Sequence, residues 1–155
     1  MSRAFIKESD GSELDELPEL AVSPHRNLVT PSGLAQMEAA LARLDADLSA
    51  ARVEGDRYAV ARIERDLRYW RRRRGSAELV APEEVTARRV RFGSRVTLRD
   101  RSGAPVTYRI VGEDESDPKV GLISYVSPLA EQMLGCEVGD LVDLRDGLAE
   151  VVAVE

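Results

Sequence analysis

Apolar residues at alternating three- and four-residue steps constrain this chain more than any other feature. Leu34, Met37, Leu41, Leu44, Leu48 and Ala51 keep that spacing, and after Gly55 it resumes at Val60, Ile63, Leu67 and Trp70. Such steps draw one narrow stripe along a helix, the pattern of a coiled-coil seam rather than the wider face of a helix in a globular core. Thr30-Pro31 supplies an N-cap and a proline at the first helical position, so a helix is predicted from Pro31 to about Val53. The short break at Gly55 makes the second helix antiparallel to the first. It ends near Gly75-Ser76, with arginines in its last turn complementing the helix C-terminus. Neither helix can bury its stripe alone, so the two pack on each other.

From Glu84 the period changes. Arg91 to Leu98, Thr107 to Val111, Val120 to Tyr125, Leu141 to Leu144 and Ala149 to Val154 are short runs rich in β-branched and aromatic residues. Turn formers at Asp100 to Gly103, Gly112 to Asp117 and Asp146-Gly147 separate them. Ser127-Pro128 opens a stretch of helical residues that closes at Gly135, which predicts one short helix lying across a small, mostly antiparallel sheet. The expected fold class is α+β. Residues 1–28 read as a flexible acidic lead carrying Glu8, Asp10, Glu13, Asp15, Glu16 and Glu19, residues 29–76 as the hairpin, 77–83 as a linker and 84–155 as the sheet domain.

Composition narrows the function classes. A chain of 155 residues with 43% hydrophobic content buries one ordinary core or a small core with a helical appendage. The formal net charge of −6 argues against a generic nucleic-acid coat protein, so any nucleic-acid contact needs a local patch. The run Arg71, Arg72, Arg73, Arg74 after Tyr69-Trp70 is a candidate for that patch, with contact to nascent RNA in view; a solvated helix end favoured by the dipole is the simpler reading. The single cysteine, Cys136, and the single histidine, His25, are far apart in sequence, and Cys136 reads as a structural thiol. No stretch is apolar enough for a membrane span, so a cytoplasmic protein is expected, with neither metal nor cofactor.

Several blocks carry a family resemblance. Tyr108 to Glu115 (Tyr-Arg-Ile-Val-Gly-Glu-Asp-Glu), Gly121-Leu122-Ile123-Ser124, Ser127-Pro128-Leu129-Ala130, Leu134-Gly135 and Glu137-Val138-Gly139-Asp140 follow one another at close spacing. In that order they resemble the C-terminal domain of bacterial Gre transcription elongation factors. Met1 to Phe5, the stretch Leu28 to Leu34 and the hairpin are also Gre-like. The resemblance implies an FK506-binding-protein-like sheet domain, RNA polymerase as partner at the rim of its secondary channel, and a monomeric regulator that is not itself an enzyme. It assigns docking to Val126, Ser127, Pro128, Leu129 and Ala130, although Val126 stands where an acid is common in the family.

The hairpin tip departs from the family. Members that stimulate transcript cleavage carry two acids there, which help hold a magnesium ion in the polymerase active site. Here the tip reads Glu54-Gly55-Asp56-Arg57-Tyr58-Ala59; Asp56 matches the first acid, and Ala59 replaces the second. The arms are also shorter than the family's by roughly eight to ten residues each, which at a rise of about 1.5 Å per residue withdraws the tip by about 12 to 15 Å. Magnesium demands oxygen ligands at about 2 Å, so docking is expected without cleavage chemistry. Glu54 and Asp56 otherwise read as turn-forming acids. Two alternatives stay open: a peptidyl-prolyl isomerase, with only Phe92, Tyr108 and Tyr125 to line a cleft, and a protein-interaction module unrelated to transcription.

Overall fold

The computed structural model describes residues 17–82 and 88–155. Most of the expected acidic lead, including Glu8 to Glu16, and the expected start of the sheet domain at Glu84 lie outside the described residues. In chain order the elements are β1 (Leu28–Val29), α1 (Pro31–Glu54), α2 (Arg57–Gly75), β2 (Glu78–Leu79), β3 (Arg95–Arg99), β4 (Pro105–Val111), β5 (Leu122–Ser124), α3 (Pro128–Met133), β6 (Leu141–Leu144) and β7 (Gly147–Val154). They divide into two units. One holds Met37–Gly75 with the segment up to Ser23, and the other holds Pro24–Gln36 with Ser76–Glu155.

In the first unit the seam forms as its spacing requires. Leu48, Ala51, Ile63 and Leu67 are buried together, and Leu41, Leu44, Ala59 and Val60 pack against them. Reversal takes two residues. Gly55 adopts φ 73°, open to glycine at no steric cost, while the Asp56 N–H donates to the Ala51 carbonyl at 3.0 Å to close the end of α1.

The second unit is a five-stranded sheet in the order β5-β4-β3-β7-β6. All neighbours are antiparallel except β4 and β5, which run parallel. One face buries Val96, Leu98, Ile110, Ile123, Val142 and Val151 with Ala130 and Met133 of α3, so the short helix closes the core as predicted. The α+β class is the one read from the sequence.

Strand limits differ from the predicted ones for local reasons. The run from Arg91 enters the sheet only at Arg95, because Gly93 turns at φ 86° and Ser94 Oγ accepts from the Arg91 N–H. Val120 is drawn into a 3-10 turn, Pro118–Val120, which Asp117 caps and Gly121 ends at φ 80°, so β5 starts at Leu122. Within the expected connection after Ser76, Glu78 and Leu79 pair in parallel with Leu28 and Val29, adding a two-stranded sheet that periodicity could not reveal.

Leu67 is 1% exposed and Leu41 only half-buried. Leu67→Ala is therefore expected to destabilise the hairpin by about 2 to 5 kcal/mol and Leu41→Ala by less. Denaturation followed by the helical circular dichroism signal checks the order of the two; equal losses would contradict this packing.

Candidate functional site

The turn from Tyr125 into α3 is built by its own sequence. Ser127 sits at the N-cap with extended backbone, its Oγ accepting from the Ala130 N–H at 3.3 Å, and Pro128 occupies the first helical position, where no N–H is wanted. The Ser127 N–H donates to Ser124 O, joining the turn to the end of β5. Pro128 is exposed, and Val126, Ser127 and Leu129 are partly so. Ala130 is 0% exposed and belongs to the hydrophobic core. Of the five residues predicted for docking, four thus offer surface and the fifth holds the turn in place.

At the hairpin tip Glu54, Gly55, Asp56 and Arg57 are all exposed, as are the flanking Val53 and Tyr58. Asp56 Oδ1 accepts from the Ala59 N–H at 2.9 Å, which makes Asp56 the N-cap of α2. Its role as a turn-forming acid is thus realised in geometry. Among the described residues no three His, Cys, Asp or Glu side chains gather into a group that could hold a metal ion.

The arginine run has partners within its own unit. Arg71 pairs with Asp45, Arg72 with Glu19 and Arg74 with Glu38, at 3.3, 3.8 and 2.9 Å, while Arg73 is 2% exposed. Arg68 also binds Glu19 at 2.7 Å, and its hydrogen bond holds the Glu19 carboxyl below the usual carboxylate range. The run offered as a nucleic-acid patch is thus largely balanced by nearby acids.

The sequence reading missed a buried carboxylate. Glu115 Oε2 accepts from the N–H of Thr30 at 3.1 Å and of Gly112 at 3.2 Å, and Oε1 accepts from the Thr30 hydroxyl. Thr30 Oγ1 in turn accepts from the Gly33 N–H at 3.0 Å, capping α1. A capping box normally returns a glutamate from the third helical position to the N-cap N–H. Here that position is Gly33, and Glu115, 85 residues away from Thr30, takes the part. A Cβ on Gly33 would stand 2.2 Å from the Glu115 carboxyl carbon. The sequence signal was a threonine cap whose third-position partner is glycine.

The three aromatic residues considered for an isomerase cleft have other occupations. Phe92, Tyr108 and Tyr125 pack against the core, Phe92 and Tyr125 edge to face at 5.6 Å, and the Tyr125 hydroxyl donates to Arg26 O. A cavity of about 220 Å³ has Phe92 as its one aromatic lining residue among the described residues. Cys136 is half-buried; desolvation first, and then the Asp140 charge, pushes its thiol pKa up, against nucleophilic use.

Residues 85–155 match the family model described as "Transcription elongation factor, GreA/GreB, C-term". The chain is 49% identical over 72 residues to the transcription elongation factor GreA of Alkalilimnicola ehrlichii, covering 45% of this chain and 46% of that protein. It is 37% identical over 110 residues to the GreA of Polaromonas naphthalenivorans, covering 63% of this chain and 70% of that protein. For the first three such relatives the chain spans about half of their length, 46%, 43% and 53%. The GreA factor homolog 1 (Gfh1) structure of Thermus thermophilus aligns with 84% of this chain and 99% of its own at 24% identity and a TM-score of 0.40.

Removing the Asp56 cap in Asp56→Ala is expected to cost the hairpin about 0.5 to 2 kcal/mol, whereas Asp56→Ser keeps a capping oxygen and most of the stability. Thermal unfolding of both variants checks this; equal destabilisation would mean that the Asp56 carboxylate does more than cap.

Proposed function

Because the chain belongs to the GreA/GreB family of transcription elongation factors, we propose that it binds bacterial RNA polymerase as a monomer at the rim of the secondary channel. There it regulates elongation without stimulating transcript cleavage, acting as a regulator rather than an enzyme in its own right. The observation that carries the docking half is the Ser127-Pro128 turn. It lies inside the family-matched segment, is fixed at one end by the Ser127 cap and at the other by buried Ala130, and presents Pro128 to solvent. A rigid apolar residue on a preorganised turn binds with little loss of conformational entropy, which suits a contact centre.

The tip supports the second half. Asp56 spends one carboxylate oxygen on the Ala59 N–H, and Ala59 supplies no acid. A magnesium shell admits oxygen ligands in near-octahedral geometry, and one capping carboxylate on a shortened hairpin does not complete it. Occupying the channel without supplying ligands makes the protein a competitor of cleavage-stimulating relatives.

Association with purified core polymerase tests the docking. Pro128→Asp is expected to weaken binding tenfold or more, equivalent to about 1.4 kcal/mol or more, while leaving the hairpin folded. Unchanged affinity in a folded Pro128→Asp protein would remove the turn from the interface. Absence of binding by the unmodified protein would contradict the reading itself.

A further inference from the structure

In the hairpin Arg52, Arg65, Arg68, Arg71, Arg72 and Arg74 are answered by nearby acids, and so are Arg26, held by Glu78, and Arg89, held by Glu137. The outer face of the five-stranded sheet is different. Along β3 the buried Val96 and Leu98 alternate with Arg95, Thr97 and Arg99, which therefore project from the opposite face. In β4 Arg109 stands opposite Arg95, Thr107 opposite Thr97 and Pro105 opposite Arg99. The two threonine hydroxyls hydrogen-bond across the strands at 2.9 Å, which places them side by side between the arginine rows.

Like charges directly opposite on neighbouring strands destabilise a sheet. Arg95 and Arg109 have that arrangement, and among the described residues neither they nor Arg99 form an ion pair. Glu150, in register with Arg99, and Glu155, whose backbone bonds to that of Arg95 and which lines a cavity with Arg109, are exposed and form no ion pair with these guanidinium groups. A stability cost without an internal partner points to an external one.

We propose that this face binds the phosphate backbone of a single nucleic-acid strand. Guanidinium forks and threonine hydroxyls are phosphate donors, and successive cross-strand rows lie about 7 Å apart, two residues of strand rise. The strip presents no helix to a groove, and at Arg109 it borders the cavity of about 220 Å³ that Phe92 and Glu155 also line. Phe92 and Tyr108, the aromatic residues beside it in sequence, are partly buried against the core, Phe92 with one side on the cavity, so the strip has no row of open aromatic faces for successive bases and binding is indifferent to sequence. The basic contact lies on β3 and β4, away from Arg71 to Arg74, whose charges are already matched.

Fluorescence anisotropy of a labelled oligouridine strand with the full chain, over a range of salt, tests the proposal independently of polymerase. The unmodified protein is expected to bind with a salt-dependent constant. The triple variant Arg95→Ser, Arg99→Ser, Arg109→Ser is expected to lose at least tenfold in affinity at low salt and to lower the salt slope by about 2, at about 0.7 per phosphate contact on a single strand. The triple variant Arg71→Ser, Arg72→Ser, Arg74→Ser is expected to change affinity less than about twofold. Should the first triple variant misfold, Arg95→Lys with Arg109→Lys keeps the charge and is expected to keep the slope, while the single changes Arg95→Ser and Arg109→Ser each lower it. No saturable binding at low salt, or equal losses in the two triple variants, would overturn the proposal. Equally tight binding of a polyglutamate peptide would also overturn it, in favour of an acidic protein surface.

Discussion

A single buried carboxylate serves two chain segments at once. Glu115 accepts from the Thr30 and Gly112 N–H groups and from the Thr30 hydroxyl, so one side chain satisfies the start of α1 and the 3-10 turn at the end of β4. A buried carboxylate is costly unless its oxygens are fully hydrogen-bonded, and here three donors converge on it. The arrangement dictates the surrounding sequence. Gly33 is required because a Cβ would meet the Glu115 carboxyl group, and Gly112 because a Cβ would stand 2.5 Å from the Leu28 carbonyl oxygen. The opening residues of α1 consequently belong to the sheet unit, and β1 is brought into register with β2.

Most of the architecture was legible in the residues. The three-four stripe marked both helices, because a two-helix seam is a local pattern that needs no knowledge of the rest of the fold. The short helix was equally plain, since Ser127 and Pro128 write its start and Gly135 its stop. What escaped was long-range. The pairing of Leu28-Val29 with Glu78-Leu79 joins segments too short to show a period. The Thr30–Glu115 bond has no local signature beyond a missing glutamate at the third helical position. Charge was misleading for the same reason: Arg71 to Arg74 stand out as a run, yet their partners Asp45, Glu19 and Glu38 are scattered, whereas Arg95 and Arg109 look ordinary until the strand register sets them face to face.

The candidate site was legible through resemblance more than through physics. Ser127-Pro128 is an ordinary helix start, and only the blocks around it distinguish a docking turn from a cap. Geometry adds a division of labour within that block: Ala130 anchors the turn in the core while Pro128 faces solvent. At the tip the physical reading is the sharper one. An aspartate that caps α2, followed by Arg57, Tyr58 and Ala59, serves the reversal of the chain first, and every oxygen used in a cap is less available to a metal.

The proposal of docking without chemistry is tested most directly in a backtracked complex of purified polymerase, by following the length of the nascent transcript at saturating protein. The account predicts no cleavage products beyond those of polymerase alone. Cleavage that appears with this protein and vanishes on Asp56→Ala would contradict it.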